Sequence, residues 1–428
     1  MKHLNFFILC LTLVAIMPLA GCSDEPDVVS LVPVESFYDE CYTDGTLRYM
    51  FTEDHKSVTV TRCDLIQDTI VIPAKVKIDG KTRNVTAIGA LAFRNLPIKC
   101  VIIPNSVTLI DYGAFSGCLQ LKSITLPSTI TIINEGVFAN CAGLEEVNFE
   151  GRIDTIGIRA FNGCISLKSF IVPSSSASIS ILGGAFMGCR NLTAFQVSCP
   201  IVELGDYAFH GCSSLESFTF PKGSTITKIA DNCFRICSNL TKVNIPATVT
   251  AIGDFAFASC NKLANVEIPA DSKLQEIGQY AFSSCQELKS IAFPHPLTSL
   301  GAYAFGICYK LETVDIPASS TLEKIEKGTF DSCFALKSFA IPATVTGINV
   351  KAFYQCHSIE SLTLPENVTY IAKDACVRVP TIHCKALTPP SVTDDPFEDV
   401  DAIYVPASSL DAYMAKWWPY TSIIHAEE

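Results

Sequence analysis

The sequence predicts an α/β solenoid, a coil of about 13 similar turns that each contribute one short strand. Three observations lead to this fold class. A template of about 23 residues recurs along most of the chain. Hydrophobic residues make up 49% of the 428 residues, and only 17% are charged. A solenoid accommodates this length by adding turns, whereas a globule would split into domains.

Residues 1–22 are predicted to be a leader outside the fold. Their apolar run, Leu4 to Pro18, is too short for a stable membrane span. The run is followed by a leucine, an alanine and a glycine directly before Cys22. This ending resembles a bacterial lipobox, which implies a lipoprotein signal peptide and lipidation of Cys22. The membrane contact would then be the N-terminal lipid alone. An ordinary secretory leader is the alternative.

A short acidic segment, residues 23–27, follows the lipidation site. It resembles the surface-export signal of Bacteroidetes lipoproteins, which implies an outer-membrane location with exposure on the cell surface. A solvated tether is the alternative reading of this segment. The formal charge of −12 argues against nucleic acid as a partner, because phosphate binding needs basic patches.

Residues 23–63 are predicted to form a tether and an N-terminal cap. The part from residue 28 onward breaks the template and would cover the first turn of the coil, whose open apolar end would otherwise aggregate. Just beyond it, Asp79-Gly80 is a hairpin turn signal. Cys41 and Cys63 both lie in the cap, and a disulfide between them is an open alternative in an exported protein.

Residues 64–379 carry the repeat, and each template position has a physical reason. Leu240, Val243 and Ile245 alternate along a strand, and Pro246 ends it because proline cannot donate the next ladder hydrogen bond. An Ala-Phe pair then places one small and one large side chain inside. The phenylalanine anchors are Phe93, Phe115, Phe138, Phe161, Phe186, Phe209, Phe234, Phe257, Phe282, Phe305, Phe330 and Phe353.

Repeat lengths alternate between 23 and 25 residues from Leu167 onward. The two extra residues always follow the proline, as in Pro173-Ser174-Ser175-Ser176. An insertion confined to one place predicts a loop on one face of the stack.

The motif I-P-x-x-V-x-x-I-G-x-x-A-F-x-x-C is clearest at 245–260 and 102–118. It resembles the leucine-rich repeats of the BspA-like family. The resemblance implies a right-handed solenoid with a parallel β-sheet and irregular or short helical turns opposite. It also implies a surface protein that binds other macromolecules, with host extracellular matrix protein as a candidate partner. Glu150, Ser198 and Cys376 depart from the template and predict local irregularity.

Cysteines recur three residues after the phenylalanine in eleven repeats. Side chains stacked about 4.8 Å apart do not match disulfide geometry, and the spacing is not that of a zinc site. We therefore predict that each thiol is a small buried hydrophobic group with a weak S–H donor. The positions are Cys118, Cys141, Cys164, Cys189, Cys212, Cys237, Cys260, Cys285, Cys308, Cys333 and Cys356.

Two surfaces are candidates for binding. The outward strand positions are small, hydroxyl-rich and without aromatic residues, so the sheet is a poor platform for glycans. The second surface is a ridge of aromatic side chains two residues before the anchor, formed by Tyr207, Phe255, Tyr280 and Tyr303, the last three on consecutive rungs. Such rings favour interaction hot spots, although packing on one another to shield the turn is the alternative.

No catalytic motif, cofactor site or metal-ligand spacing is present among the histidines or elsewhere. The acidic loop around Asp394 and Asp399 is predicted to be solvated, with calcium binding as the alternative. Residues 380–428 are predicted to be a C-terminal cap, in which a helix bearing both tryptophans covers the end of the core.

The sequence thus predicts a non-enzymatic, monomeric surface lipoprotein that binds a protein ligand. The alternative is a glycan-capture lipoprotein that assists nutrient uptake, and clustered exposed aromatic residues around a pocket would favour it.

Overall fold

A computed structural model describes residues 28–34 and 41–427. The leader, the lipidation site Cys22 and the acidic segment 23–27 lie outside the described residues. The described chain forms a parallel β-solenoid of about 16 turns.

The front ladder of the solenoid contains one strand from each turn. Its first thirteen positions are those that the template predicts, and the last three come from the predicted C-terminal cap. The strands are Thr69–Val71, Cys100–Ile102, Ser123–Leu126, Glu146–Phe149, Ser169–Ile171, Ala194–Gln196, Ser217–Phe218, Lys242–Asn244, Asn265–Glu267, Ser290–Ala292, Thr313–Asp315, the single bridge residue Ser338, Ser361–Leu364, Thr381–Cys384, Ala402–Pro406 and Ile424–Glu427. The sheet is therefore longer than the repeat region.

A second parallel ladder, the side ladder, lies between the front strand and the short turn of each rung, and the sequence did not predict it. Ala251 pairs with Glu276 and Ile252 pairs with Ile277, so the isoleucine before the turn points inward. Leucine takes this place at 204 and 300, and the half-buried Val392 takes it on the last side strand. The strands are Leu109–Ile110, Ile132–Ile133, Thr155–Ile156, Ile179–Ile181, Ile201–Leu204, Lys228–Ile229, Ala251–Ile252, Glu276–Ile277, Ser299–Leu300, Lys324–Ile325, Gly347–Ile348, Tyr370–Ile371 and Ser391–Val392.

The third side of each turn contains the Ala-Phe pair and is also hydrogen-bonded between rungs. The N–H groups of Phe255, Phe257 and Ser259 donate to carbonyls of the next rung at 2.8 Å. All twelve phenylalanine anchors are fully buried. Their rings stack from rung to rung, as in Phe257 and Phe282 with centroids 5.3 Å apart. The predicted continuous core is confirmed.

The longer rungs place their extra residues in a loop after the proline. There a buried serine accepts a hydrogen bond from a buried N–H of the preceding rung, which would otherwise lack a partner. The pairs are Ser176 with Ile153 at 2.9 Å, Ser224 with Ile201 at 3.1 Å, and Ser320 with Leu297 at 3.0 Å.

The eleven ladder cysteines are buried, as predicted, and their thiols are free. Each Sγ–H donates to the carbonyl of the phenylalanine anchor one rung before it. The Cys260 thiol, for example, lies 3.1 Å from the Phe234 oxygen. Burial raises the pKa of Cys118, Cys189 and Cys308 to about 12.

The N-terminal cap is a sheet that joins the solenoid through its last strand. The Asp79-Gly80 hairpin forms as predicted. Cys41 and Cys63 are free and lie on strands separated by a third, a distance of about 10 Å that a disulfide does not span. The strands are Val29–Ser30, Val32–Val34, Cys41–Thr43, Leu47–Phe51, Ser57–Cys63, Lys75–Ile78 and Lys81–Ile88.

The C-terminal cap contains the helix Leu410–Lys416 between two short 3-10 turns, Ala407–Ser409 and Trp418–Tyr420. The prediction that the helix bears both tryptophans is wrong, although Trp417 does cover the core. The helix ends before them. Trp417 is buried and donates its Nε1–H to the Pro390 carbonyl at 3.0 Å, whereas Trp418 is 74% exposed.

Candidate interaction surface

Three of the four predicted ridge residues form a closed stack on the turn side of the solenoid. The centroids of the Phe255 and Tyr280 rings are 4.7 Å apart with an interplanar angle of 6°. The Tyr280 and Tyr303 rings follow at 4.9 Å and 12°. All three side chains are half-buried. The rings therefore pack on one another and also keep one edge in solvent.

The two end faces of this stack are covered as well. The Arg235 guanidinium lies 4.8 Å from the centroid of the Phe255 ring. At the other end, Tyr303 lies so close to Gly328 that an added Cβ would overlap the ring. The stack consequently presents ring edges and tyrosine hydroxyls, and it has no free aromatic face.

Tyr207, the fourth predicted ridge residue, lies outside the stack. The next rung carries Asn232 at the same offset, so no ring continues from Tyr207 to Phe255. Tyr207 is 42% exposed and contacts His210 edge-on at 5.7 Å. It forms a separate aromatic contact rather than part of the ridge.

The ridge residues have a strained backbone. Phe255, Tyr280 and Tyr303 have φ values of 57°, 54° and 54°, in the left-handed region that bulky residues rarely adopt. Other rungs place glycine at this offset, including Gly113 and Gly328. Such strain costs of order 1–3 kcal/mol per residue. It belongs to the turn of the repeat, because other rungs have a positive φ at this offset as well.

A second aromatic stack, which the sequence analysis missed, lies four residues after the phenylalanine anchors. The ring centroids of Tyr309 and Phe334 are 5.0 Å apart, and those of Phe334 and His357 are 5.4 Å apart. Tyr309 and Phe334 are each 40% exposed. We call these three residues the strip. Comparing this offset across consecutive repeats would have revealed it.

The front face of the sheet holds a groove of about 1060 Å³, bounded on one side by the loop 221–224. Its lining combines polar side chains, among them Asn265, Glu267, Thr313 and Asp315, with apolar side chains of the same strands and loops. This part of the face matches the predicted small, polar surface.

The expectation of a sheet without aromatic residues fails at the C-terminal end. His383, Tyr404 and His425 form an outward column there, because the sheet includes the three strands that follow the repeats. The ring centroids are 5.1 Å and 5.5 Å apart.

Glu427 fixes this column to the last strand. It lies 3.1 Å from His383 Nδ1 and accepts a hydrogen bond from Lys385 Nζ at 2.6 Å. The hydrogen bond from Lys385 is the largest influence on Glu427 and lowers the pKa of its carboxyl group.

Within residues 28–34 and 41–427, no group of three or more His, Cys, Asp or Glu side chains is arranged to hold a metal ion. The acidic loop is engaged within the chain: Asp395 accepts a hydrogen bond from the Tyr420 hydroxyl at 2.8 Å, and Asp399 pairs with Arg378 at 3.2 Å. In the same described ranges, no helix is long and apolar enough to cross a membrane.

Comparison with known proteins identifies the repeat. The profile described as a BspA type leucine rich repeat region matches residues 75–182, 180–272 and 262–378. A leucine-rich repeat protein from Bacteroides ovatus has 24% sequence identity, covers 90% of this chain and 98% of its own, and superposes with a TM-score of 0.63.

A leucine rich cell surface protein from Faecalibacterium prausnitzii has 23% identity and covers 80% of this chain and 94% of its own, with a TM-score of 0.44. Comparison with curated proteins gives no match.

Proposed function

This chain belongs to the BspA-type leucine-rich repeat family, and we propose that it is a non-enzymatic scaffold that binds a protein ligand at the bacterial surface. Leucine-rich repeat domains commonly bind proteins. A host extracellular matrix protein is the partner class that we put forward.

The closed face-to-face packing of the ridge is the observation that favours a protein ligand over a glycan. A sugar stacks on the flat face of an aromatic ring, and each ridge face is covered by another ring, by Arg235 or by Gly328. The exposed edges and hydroxyls instead suit a protein surface, where low-entropy aromatic side chains dominate binding energy.

The anchoring that we propose follows from the leader. Lipidation of Cys22 would leave residues 23–28 as a tether before the first described strand at Val29. Six extended residues span at most about 20 Å. The N-terminal cap would then lie near the outer membrane, with the solenoid projecting from the cell surface.

The runner-up function is glycan capture beside a nutrient importer. The column of His383, Tyr404 and His425 favours it, because these rings are on the front face and His425 is exposed on the last strand. The column lies on the last three front strands, beyond the groove, and is the surface to examine for sugar binding.

A binding screen of the mature chain against purified host matrix proteins and polysaccharides separates the two functions. We expect saturable binding to a matrix protein. Saturable binding to a polysaccharide with no protein ligand would contradict the proposal and favour glycan capture. The double variant Tyr280→Ala with Tyr303→Ala should fold and bind the matrix protein more weakly, whereas Leu119→Ser, an exposed change outside the ridge, should not affect binding.

A further inference from the structure

The ridge and the strip meet in a single turn of the solenoid. Tyr303 ends the ridge and Tyr309 begins the strip, and both lie in the rung anchored by Phe305. Ile307 lies between them and is 38% exposed. Together the two stacks and Ile307 form a diagonal surface across five consecutive rungs, about 19 Å long at the spacing of paired strands. We call it the aromatic band.

Ile307 occupies the left-handed position, two residues after the phenylalanine anchor, through which every rung turns. Its φ is 64°, and the same offset carries glycine in rungs such as those of Gly117 and Gly188. A β-branched residue in the left-handed region is an outlier. Ile236, at the same offset outside the band, has a φ of 62° and is 42% exposed, so the strain belongs to the turn. Ile307 contributes to the band through its exposed apolar side chain in the rung that both stacks share.

Cations without carboxylate partners lie along the band. Arg235 contacts the Phe255 ring, Lys327 Nζ lies 5.9 Å from the centroid of Tyr303, and Lys351 Nζ lies 4.6 Å from that of Tyr354. None of the three forms an ion pair within 4.0 Å among residues 28–34 and 41–427.

The carboxylates near the band are, in contrast, engaged inside the chain. Asp254 accepts a hydrogen bond from the Gln279 N–H at 2.7 Å. Glu326 accepts one from Asn349 at 2.8 Å. Both donors are neutral, so these carboxylates keep their charge but are fixed in place by the hydrogen bonds. In a protein of net charge −12, the three cations of the band are left without an ion-pair partner among the described residues.

We propose that the aromatic band docks an acidic, amphipathic polypeptide segment. Apolar side chains of the partner would cover Ile307 and the ring edges, and its carboxylates would pair with Arg235, Lys327 and Lys351. This inference rests on the proposed protein-binding function and adds the chemistry of the partner. Charge complementarity of this kind sets the specificity of an interface.

The test uses the mature chain and two fluorescein-labelled synthetic peptides, read by fluorescence anisotropy. One peptide alternates glutamate with leucine and phenylalanine, and the other replaces every glutamate by lysine. We expect the glutamate peptide to bind at least about tenfold more tightly, and its affinity to fall with added salt. Equal binding of the lysine peptide would overturn the proposal.

Two substitutions test whether the glutamate peptide binds at the aromatic band. Ile307→Gly should weaken binding of the glutamate peptide while raising thermal stability, because glycine removes the backbone strain. Phe334→Ser should also weaken binding, and the matched control is Leu119→Ser, which is at the same offset and 62% exposed. Unchanged affinity in both band variants would overturn the assignment.

The peptide-binding test and the test of the proposed function can give different results. If the mature chain binds a host matrix protein but not the glutamate peptide, the proposed function stands and the inference about an acidic partner is wrong.

Discussion

At the residue scale, left-handed backbone positions decide which side chains this fold can display. Each rung turns around its phenylalanine anchor through two such positions, and glycine, asparagine and serine fill most of them. Where an aromatic residue takes the position, as at Tyr303, it lies against the neighbouring rung instead of the core. The ridge therefore forms where aromatic residues take this left-handed position on consecutive rungs.

Substitution of Gly328 tests whether the Tyr303 ring packs against the neighbouring rung. An added Cβ would overlap the Tyr303 ring, and its φ of 59° is strained for alanine. Gly80 has a φ of 75° but no atom within 4 Å of an added Cβ. We expect Gly328→Ala to lower the free energy of unfolding by about 1–3 kcal/mol more than Gly80→Ala, because only the first change displaces a packed ring. Equal losses in urea unfolding would show that Tyr303 does not pack on Gly328.

Residue-level prediction from the sequence succeeded where the template fixes the side chain. The phenylalanine anchors and the ladder thiols repeat at one offset in nearly every rung, so their burial could be inferred. Tyr207 lies outside the stack because the next rung carries Asn232, and the sequence already shows that only the other three ridge residues are on consecutive rungs. The strip was missed because Tyr309 and Phe334 occupy an offset that the template leaves free.

At the scale of elements, each rung is hydrogen-bonded on three sides. The front strand was predictable from its alternating hydrophobic residues and its proline. The side ladder was not, because two-residue strands such as Ala251–Ile252 are defined by pairing with the next rung rather than by any local pattern. The last three front strands were assigned to a cap since they lack the template, although Ile382, Ile403 and Ile424 point inward as a template residue would.

Substitution of each of the two tryptophans tests how the C-terminal cap packs on the core. Trp417 is fully buried, packs edge-on against Tyr413 at 4.9 Å and donates a hydrogen bond. Trp417→Ala should lower the free energy of unfolding by about 3–5 kcal/mol, the usual loss for a large buried aromatic residue. Its neighbour provides the control, because Trp418→Ala removes an exposed ring and should change stability by less than about 0.5 kcal/mol. Similar losses in chemical denaturation would contradict the cap that we describe.

At the scale of the whole molecule, one core runs through all rungs and contains a line of buried thiols. Burial raises the pKa of the Cys118, Cys189 and Cys308 thiols from 9.0 to about 12. An unfolded chain ionises its thiols near pH 9, whereas the folded chain keeps them protonated. Their contribution to stability is complete below pH 9 and is lost as the pH rises toward 12.

The free energy of unfolding should therefore fall steeply as the pH rises above 9. Each such thiol lowers the free energy of unfolding by about 1.4 kcal/mol per pH unit between the two pKa values. We expect the urea midpoint to fall progressively when unfolding is measured from pH 8 to pH 11. The variant Cys308→Ala should show a shallower dependence because it lacks one titrating thiol. A midpoint independent of pH would contradict burial of the thiol line.

The most direct test of the continuous core is the reactivity of the cysteines with iodoacetamide in the native protein, read by mass spectrometry. Of the eighteen described cysteines, Cys100 alone is partly exposed. We predict that Cys100 is modified first and that the eleven ladder thiols react only after denaturant unfolds the chain. Modification of a run of ladder thiols at the rate of Cys100 would show that these rungs are open to water, and the single shared core would be wrong.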